Sequence, residues 1–263
     1  MTSRGGVYLL AAASIAAGAI NLAWGDFATD WQPIQAFGDH IAGRALLADL
    51  AAAWLVVAGA AAFAPRTRRA GAAGLAVAYG VFALFWLPRL YYVPRFFGFD
   101  LPRTIGVLDG LGQQLILVAA AVIAYVGPCG SRGAREPAAA TVARVTFGLC
   151  AVVFGVAHFT SISGVAPLVP HWIPFGGAFW AAATGIAFIL SGAAIVTTRF
   201  GAPAARSLAV MLAIFSAVVW VPQLFEFPHD QAAWGGNAYN LAAVAAAWIV
   251  ADRLALRGFV ANG

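Results

Sequence analysis

The stretch LAVAYGVFALFWL, residues 75–87, carries no charge and is apolar all the way around a helix. A helix on the surface of a soluble protein shows a polar face, and a strand of a membrane barrel alternates in polarity over about ten residues. This stretch is instead typical of a helix that crosses a lipid bilayer. The composition agrees, because 62% of the 263 residues are hydrophobic and 10% are charged, whereas soluble domains average about 25% charged residues.

Seven further apolar runs extend this interpretation to the whole chain and predict an all-α membrane protein with eight transmembrane helices. The eight runs cover residues 7–25, 40–63, 70–87, 106–126, 144–161, 177–198, 207–221 and 235–251. The first run follows Arg4 and has the character of a cleaved signal peptide. The fifth run has the same character inside the chain, which favours a retained first helix.

The sequence also contains an internal repeat, seen as four blocks that align in the same order. Residues 18–33 align with 155–170, 58–66 with 191–199, 85–90 with 219–224, and 112–124 with 238–250. The blocks predict two four-helix halves, residues 1–126 and 142–263, joined by a cytoplasmic linker at 127–141. Because each half has an even number of spans, both enter the membrane from the same side, and we expect two parallel-repeat four-helix bundles.

The arginines indicate the orientation of these spans. They concentrate at both termini and in the connections that follow the even-numbered spans. Short Arg-rich loops remain in the cytoplasm, so both termini of this multi-pass protein are expected there. Clusters of this kind flank spans and do not form a nucleic-acid-binding face. The predicted partner is therefore the lipid bilayer and not nucleic acid.

Ionisable residues within a span are costly and need a partner or a purpose. With a second helix that starts near His40, Asp49 is expected close to the bilayer midplane. Arg44 is expected about one turn below the outer surface, where we predict a pair with Asp109 across helices. Two interpretations stay open for these residues: a structural ion pair that fixes packing, or a substrate or proton site.

Matched polar residues occur on the first and fourth helices of each half. Asn21 aligns with His158, and Gln114 aligns with Asn240. Each half thus offers a polar residue on two helices at related depths, which predicts a small polar pocket for a headgroup, a quinone carbonyl or an interhelical partner. The alternative is that these side chains bond only to one another and fill the core.

Sequence motifs for metal or nucleotide chemistry are absent. The four histidines are scattered and lack a metal-ligand spacing such as HExxH, so no metal site is predicted. Cys129 and Cys150 form no CxxC pair. The chain has no GxSxG motif, no Walker-type loop, and no GxGxxG between a strand and a helix.

The segment FGVAHFTSISGVAPLVPHWIPFGGAFWAAATGIAFILSGAAIV, residues 154–196, resembles the DoxX-like family of bacterial integral membrane proteins. It combines a helix that ends in His-Phe, an LVPxWIP segment, and a helix with Thr-Gly and SGAA; VPQL at 221–224 also fits. The likeness covers residues 145–250, and the first half is similar to a diverged copy. It carries over residue by residue to His158, Pro170, Trp172 and Pro174. The neighbouring His171 joins Trp172 as a ligand-binding candidate.

The resemblance implies a membrane subunit or quinone- or lipid-binding component associated with a redox system, with a quinone as the implied cofactor and a redox protein as the implied partner. Two other classes stay open. One is a transporter of a small solute or lipid, although we expect no Gly/Pro-broken helix at matching places in both halves. The other is a membrane enzyme that acts on a lipophilic substrate at the outer face. The sequence does not decide whether the protein is catalytic.

Overall fold

The computed structural model describes residues 4–28, 32, 42–127 and 136–262, and these residues are helical with short connections. Eight of the helices are long and apolar enough to cross a membrane. They are α1 (Gly5–Trp24), α2 (Arg44–Phe63), α3 (Arg68–Phe97), α4 (Leu101–Val126), α5 (Ala138–Thr160), α6 (Gly177–Thr197), α7 (Gly201–Glu226) and α8 (Gln231–Asn262). The predicted all-α membrane fold with eight spanning helices is confirmed.

The eight helices form a closed ring in which each helix packs against the next in sequence and α8 returns to α1. Helices α4 and α8 also contact each other across the centre of the ring. As a result, α4 packs against the first helix of the second half, and α8 packs against the first helix of the first half. Each of these two helices therefore borders the interior of both halves.

Small residues allow the neighbouring helices to approach closely, as is common in membrane proteins. A Cβ atom added at Gly18 of α1 would lie 2.6 Å from the carbonyl oxygen of Ala52 in α2. A Cβ atom added at Gly155 of α5 would lie 2.5 Å from the carbonyl oxygen of Gly185 in α6. Gly18 and Gly155 are aligned positions of the repeat, so the first two helices of each half pack through the same contact.

A tryptophan packs against a glycine at aligned positions of the third and fourth helices of each half. The ring of Trp86 in α3 covers Gly110 in α4, and the ring of Trp220 in α7 covers Gly236 in α8. A Cβ atom at either glycine would overlap the facing ring. These contacts hold the third helix of each half against the fourth without leaving room for a side chain.

We expect Gly110→Ala and Gly236→Ala each to lower the free energy of unfolding by about 1–3 kcal/mol, because the added methyl group overlaps a packed ring. Gly80→Ala is the matched control. Gly80 lies within α3 with no atom near its added Cβ, so that change is expected to stabilise the helix by up to about 1 kcal/mol. Unfolding in mixed detergent micelles, followed by circular dichroism, measures all three. Equal effects of the three changes would contradict this packing.

Helix α3 extends about ten residues past its predicted end. The sequence indicated a long outer loop from about residue 88, but the helix continues through Pro88 and Pro94 to Phe97. A helix that ended at Pro88 would leave backbone groups without hydrogen bonds next to lipid, which is costly. The connection to α4 is short, and Asp100 caps α4 by accepting a hydrogen bond from the Arg103 amide at 2.9 Å.

The helix α7 contains a π-helical turn at Ser216–Trp220, just before Pro222. Pro222 aligns with Pro88, yet α3 is α-helical at its proline. The spacing between aligned blocks 58–66 and 85–90 is one residue shorter than that between their counterparts, and a π turn takes up one additional residue. Prolines therefore recur at matching places, as the aligned blocks 85–90 and 219–224 indicate, but among the described residues only the second half has an interrupted helix there.

Candidate functional site

A cavity of about 620 Å³ lies within the second half and is lined by residues from α4 to α8. This volume suits a drug-sized molecule. Most of the lining is aliphatic or aromatic, and a few polar side chains project from three helices. The polar lining includes Asp109 and Gln113 of α4, His158 of α5 and Asn240 of α8.

His158 presents a hydrogen-bond acceptor to this cavity. Its Nδ1 lies 2.7 Å from the carbonyl oxygen of Phe154. Because a carbonyl oxygen only accepts, Nδ1 is the donor, and Nε2 of the neutral ring is left as an acceptor. The ring also packs against Phe188 with 5.3 Å between ring centroids. The imidazole is therefore fixed in orientation by one hydrogen bond and one aromatic contact.

Asn240 connects α8 to the π turn of α7. Its Nδ2 donates to the carbonyl oxygen of Leu212 at 2.9 Å and to Oγ of Ser216. Nearby, Nδ2 of Asn237 donates to the carbonyl oxygen of Trp220 at 2.6 Å. The two asparagines hold the beginning and end of the turn through groups that an uninterrupted α-helix would not expose. Both N–H groups of Asn240 are thus used, and Oδ1 remains as an acceptor.

Asp109 and Gln113 are one helical turn apart on α4 and contact each other. Nε2 of Gln113 donates to Oδ2 of Asp109 at 2.9 Å. Oε1 of Gln113 is buried and has no hydrogen-bond partner in the described part of the chain. Because α4 borders both halves, these residues of the first half face the cavity of the second.

The predicted pair between Arg44 and Asp109 is wrong. Nε of Arg44 lies 2.9 Å from Oδ1 of Asp26, and a second guanidinium nitrogen lies 3.1 Å from Oδ2. Helix α2 packs against α1 and α3, so its first residue meets the segment that follows α1 and not α4. Arg44 therefore closes the end of the first half at which α1 ends and α2 begins.

A second cavity, of about 30 Å³, occupies the aligned position in the first half. Gln32, Gln114 and Tyr239 line it, and they align with Val169, Asn240 and Gln113 of the large cavity. Nδ2 of Asn21 donates to Oε1 of Gln32 at 2.9 Å. Gln114 thus lines the small cavity and Asn21 binds its lining residue Gln32, whereas His158 and Asn240 both line the large cavity.

Side chains of the protein itself fill most of the first-half cavity. The hydroxyl groups of Tyr79 and Ser14 lie 2.8 Å apart in the core, and the aligned positions in the second half hold Leu212 and Ala151, which line the large cavity.

The chain between the first two helices also differs between the halves. The side chain of Phe27 is 4% exposed, whereas the aligned Gly164 has open space around it. The larger side chains of Tyr79 and Ser14, compared with the aligned Leu212 and Ala151, accompany the smaller cavity of the first half.

Five predicted candidates line neither cavity: Asn21, Arg44, Asp49, His171 and Trp172. Asp49 follows the start of α2 by five residues, about 7.5 Å, and so lies nearer the helix end than a start near His40 implied, on the exposed side of that helix. The sequence offered no signal for this, because α2 is apolar on all sides. His171 and Trp172 are exposed in the segment between α5 and α6, and Trp172 is 76% exposed.

No family model matches the chain. No characterised protein and no solved structure is significantly similar to it either. Among the described residues, no group of three or more His, Cys, Asp or Glu side chains could hold a metal ion. Cys129 and His40 lie outside the described residues. The chemistry of the large cavity is therefore the basis for a function.

Several lining residues were not singled out from the sequence. Trp180, Trp220 and Tyr239 contribute rings to the large cavity. Gln113 follows Asp109 by four residues, a spacing that predicts a shared helix face but not which half that face meets. That follows from the ring of helices, in which α4 packs on α5.

Proposed function

We propose that this protein is a DoxX-like membrane protein whose large cavity holds a lipophile the size of a lipid or quinone, as a membrane component associated with a redox system. The observation that supports this best is the cavity of about 620 Å³, apolar over most of its wall with polar groups from α4, α5 and α8. A molecule with one polar end and an apolar body fits such a wall. The resemblance of residues 154–196 supports the redox association.

Access from the bilayer fits this function. Ile214 of α7 lines the cavity and is 55% exposed. Ala183 of α6 is small and also lines the cavity. The outer end is covered by Val169 and Ile173 from the segment between α5 and α6. A ligand dissolved in the membrane can therefore enter between α6 and α7 without crossing water.

A lipid transporter is the second candidate, and the π turn at Ser216–Trp220 favours it. The turn borders the cavity and lies on α7, of which 17% is buried, the smallest share among the eight spans. Interrupted helices next to a binding site occur in transporters. A membrane enzyme would use Asp109 or His158 as an acid or base on the bound lipophile.

Mass spectrometry of solvent extracts from the purified protein tests the proposed binding. We expect a lipophilic molecule to be retained close to one per protein chain, above the level in an unrelated eight-span protein from the same membranes. An extract identical to that control would contradict the proposal. Recovery of a quinone would favour the redox component, and recovery of a lipid would favour the transporter.

We also propose that the two halves are parallel repeats with both termini in the cytoplasm of a bacterial inner membrane. The aligned contacts of Gly18 and Gly155, and of Trp86 and Trp220, support a duplication. Reporter fusions after Arg69, near Arg135 and at the C-terminus should report the cytoplasm. Fusions near Pro94 and His229 should report the outside, and one reversal among these fusions would contradict the orientation.

A further inference from the structure

Two of the polar groups in the large cavity offer acceptor atoms to a ligand. Nδ1 of His158 is used by a backbone carbonyl, and both amide hydrogens of Asn240 are used within the protein. These groups therefore present Nε2 and Oδ1, which accept hydrogen bonds. Oε1 of Gln113 is buried next to Asp109 and has no hydrogen-bond partner among the described residues.

Donors elsewhere on the wall are bonded within the protein. The hydroxyl group of Thr184 donates to the carbonyl oxygen of Trp180 at 2.7 Å, and Nε1 of Trp180 donates to that of Pro174 at 2.8 Å. A ligand that itself only accepts hydrogen bonds, such as a quinone carbonyl, would find these donors already engaged.

Asp109 adds a carboxyl group to this set of acceptors. It receives a hydrogen bond from Gln113, and no ion pair to a described basic residue forms there. The described residues that line the cavity include no arginine. A carboxylate next to an apolar cavity is costly unless a cation accompanies it or it takes up a proton. A positively charged ligand would therefore provide the counter-charge that Asp109 lacks.

Aromatic rings surround the same space and favour a cation. The wall includes the rings of Phe147, Phe154, Trp180, Phe188 and Trp220. The faces of such rings attract ammonium groups, most strongly where water is excluded. The first half lacks this arrangement, because the aligned Asn21 donates to Gln32 and Gly235 stands at the position of Asp109.

We propose that the large cavity binds an amphiphile whose single polar end is a protonated amine. The N–H groups would donate to Asp109 and its neighbouring acceptors, and the apolar body would lie along α6 and α7. This inference rests on the proposed function, since it assigns the head group of the lipophile in the same cavity. A neutral hydroxyl group would satisfy the acceptors but would leave the carboxylate without a counter-charge.

Three probes with one body and different head groups test this proposal: 8-bromooctylamine, 8-bromooctanol and 8-bromooctanoic acid. Bromine quenches tryptophan fluorescence, and Trp180→Phe identifies the part of the signal that comes from the cavity. For the full chain in detergent, stripped of bound lipid, we expect the amine to bind at least about tenfold more tightly than the alcohol. The acid is expected to bind more weakly than both.

Asp109→Asn should remove the advantage of the amine over the alcohol while the alcohol still binds. The matched control is Asp49→Asn, which makes the same change on α2 outside the cavity and should leave the order of affinities unchanged. The order of affinities for the three probes in the unchanged protein tests the assignment of an amine even if Asp109→Asn does not fold.

Equal affinities for the three probes, or tighter binding of the acid, would overturn the assignment of an amine and leave the proposed cavity function standing. If none of the probes quenches the fluorescence of the cavity tryptophan, both the assignment of an amine and the proposed cavity function are overturned. Loss of the amine preference in Asp49→Asn as well as in Asp109→Asn would also overturn the assignment, because the preference would then not arise in the cavity.

Discussion

The triple variant Ala151→Ser/Gly164→Phe/Leu212→Tyr is expected to retain at least about tenfold less lipophile than the unchanged protein. Each change introduces the residue found at the aligned position of the first half, Ser14, Phe27 or Tyr79, and the cavity there measures about 30 Å³. The larger side chains at positions 151 and 212 would occupy space that Ala151 and Leu212 now line. Since a packed wall excludes a ligand without changing the helices, binding should fall while the fold remains.

Mass spectrometry of extracts, normalised to protein, measures this loss, and quenching by bromooctyl probes provides a second measurement. The reciprocal variant Ser14→Ala/Tyr79→Leu is the matched control. It enlarges the small cavity in the first half and should lower the free energy of unfolding by about 2–4 kcal/mol. Retention of lipophile in the second half should be unaffected. Full retention in the triple variant would place the ligand outside the large cavity.

Much of the membrane topology could be predicted from the sequence because the length and polarity of a span are local properties. A run such as residues 177–198 has few ways to satisfy its backbone in lipid other than as a helix, and α6 spans Gly177–Thr197. Helix ends beyond the apolar core were predicted less well. Pro88 and Pro94 suggested a loop, but α3 continues through both to Phe97.

The neighbours of each side chain could not be predicted in the same way. Helices that are apolar on all sides carry no stripe that identifies the face turned to the core. Asp49 therefore gave no sign that it lies on the exposed side of α2. Arg44 was assigned to Asp109 by depth alone, whereas the order of helices in the ring places it beside Asp26.

The candidate site was predicted in part. His158 and Asn240 were selected as a matched pair, and both line the large cavity. They do not bond to each other, because His158 binds the carbonyl oxygen of Phe154 and Asn240 binds the π turn. The difference in volume between the halves depends on side-chain packing at several aligned positions, which a comparison of polar residues alone does not reveal.

A buried ion pair between α8 and the residue that precedes Pro137 and α5 gives the largest expected effect on stability. Nε of Arg253 in α8 lies 3.3 Å from Oε1 of Glu136, and the two side chains are 2% and 9% exposed. Arg253 also donates to the carbonyl oxygen of Gly127, which follows α4. One guanidinium group thus joins α8 to the end of α4 and to the residue that leads into α5.

Arg253→Met is expected to lower the free energy of unfolding by about 3–5 kcal/mol, because it leaves a buried carboxylate without this cation. Arg253→Met/Glu136→Gln should recover part of the loss, since it removes the charge from both sides. The matched control is Arg103→Met in an exposed pair near the start of α4. Its pair with Asp100 spans 3.8 Å between side chains that are 53% and 34% exposed, so a loss below about 1 kcal/mol is expected. Unfolding in mixed micelles measures the three variants, and equal losses for Arg253→Met and Arg103→Met would mean that the buried pair does not hold α4, α5 and α8 together.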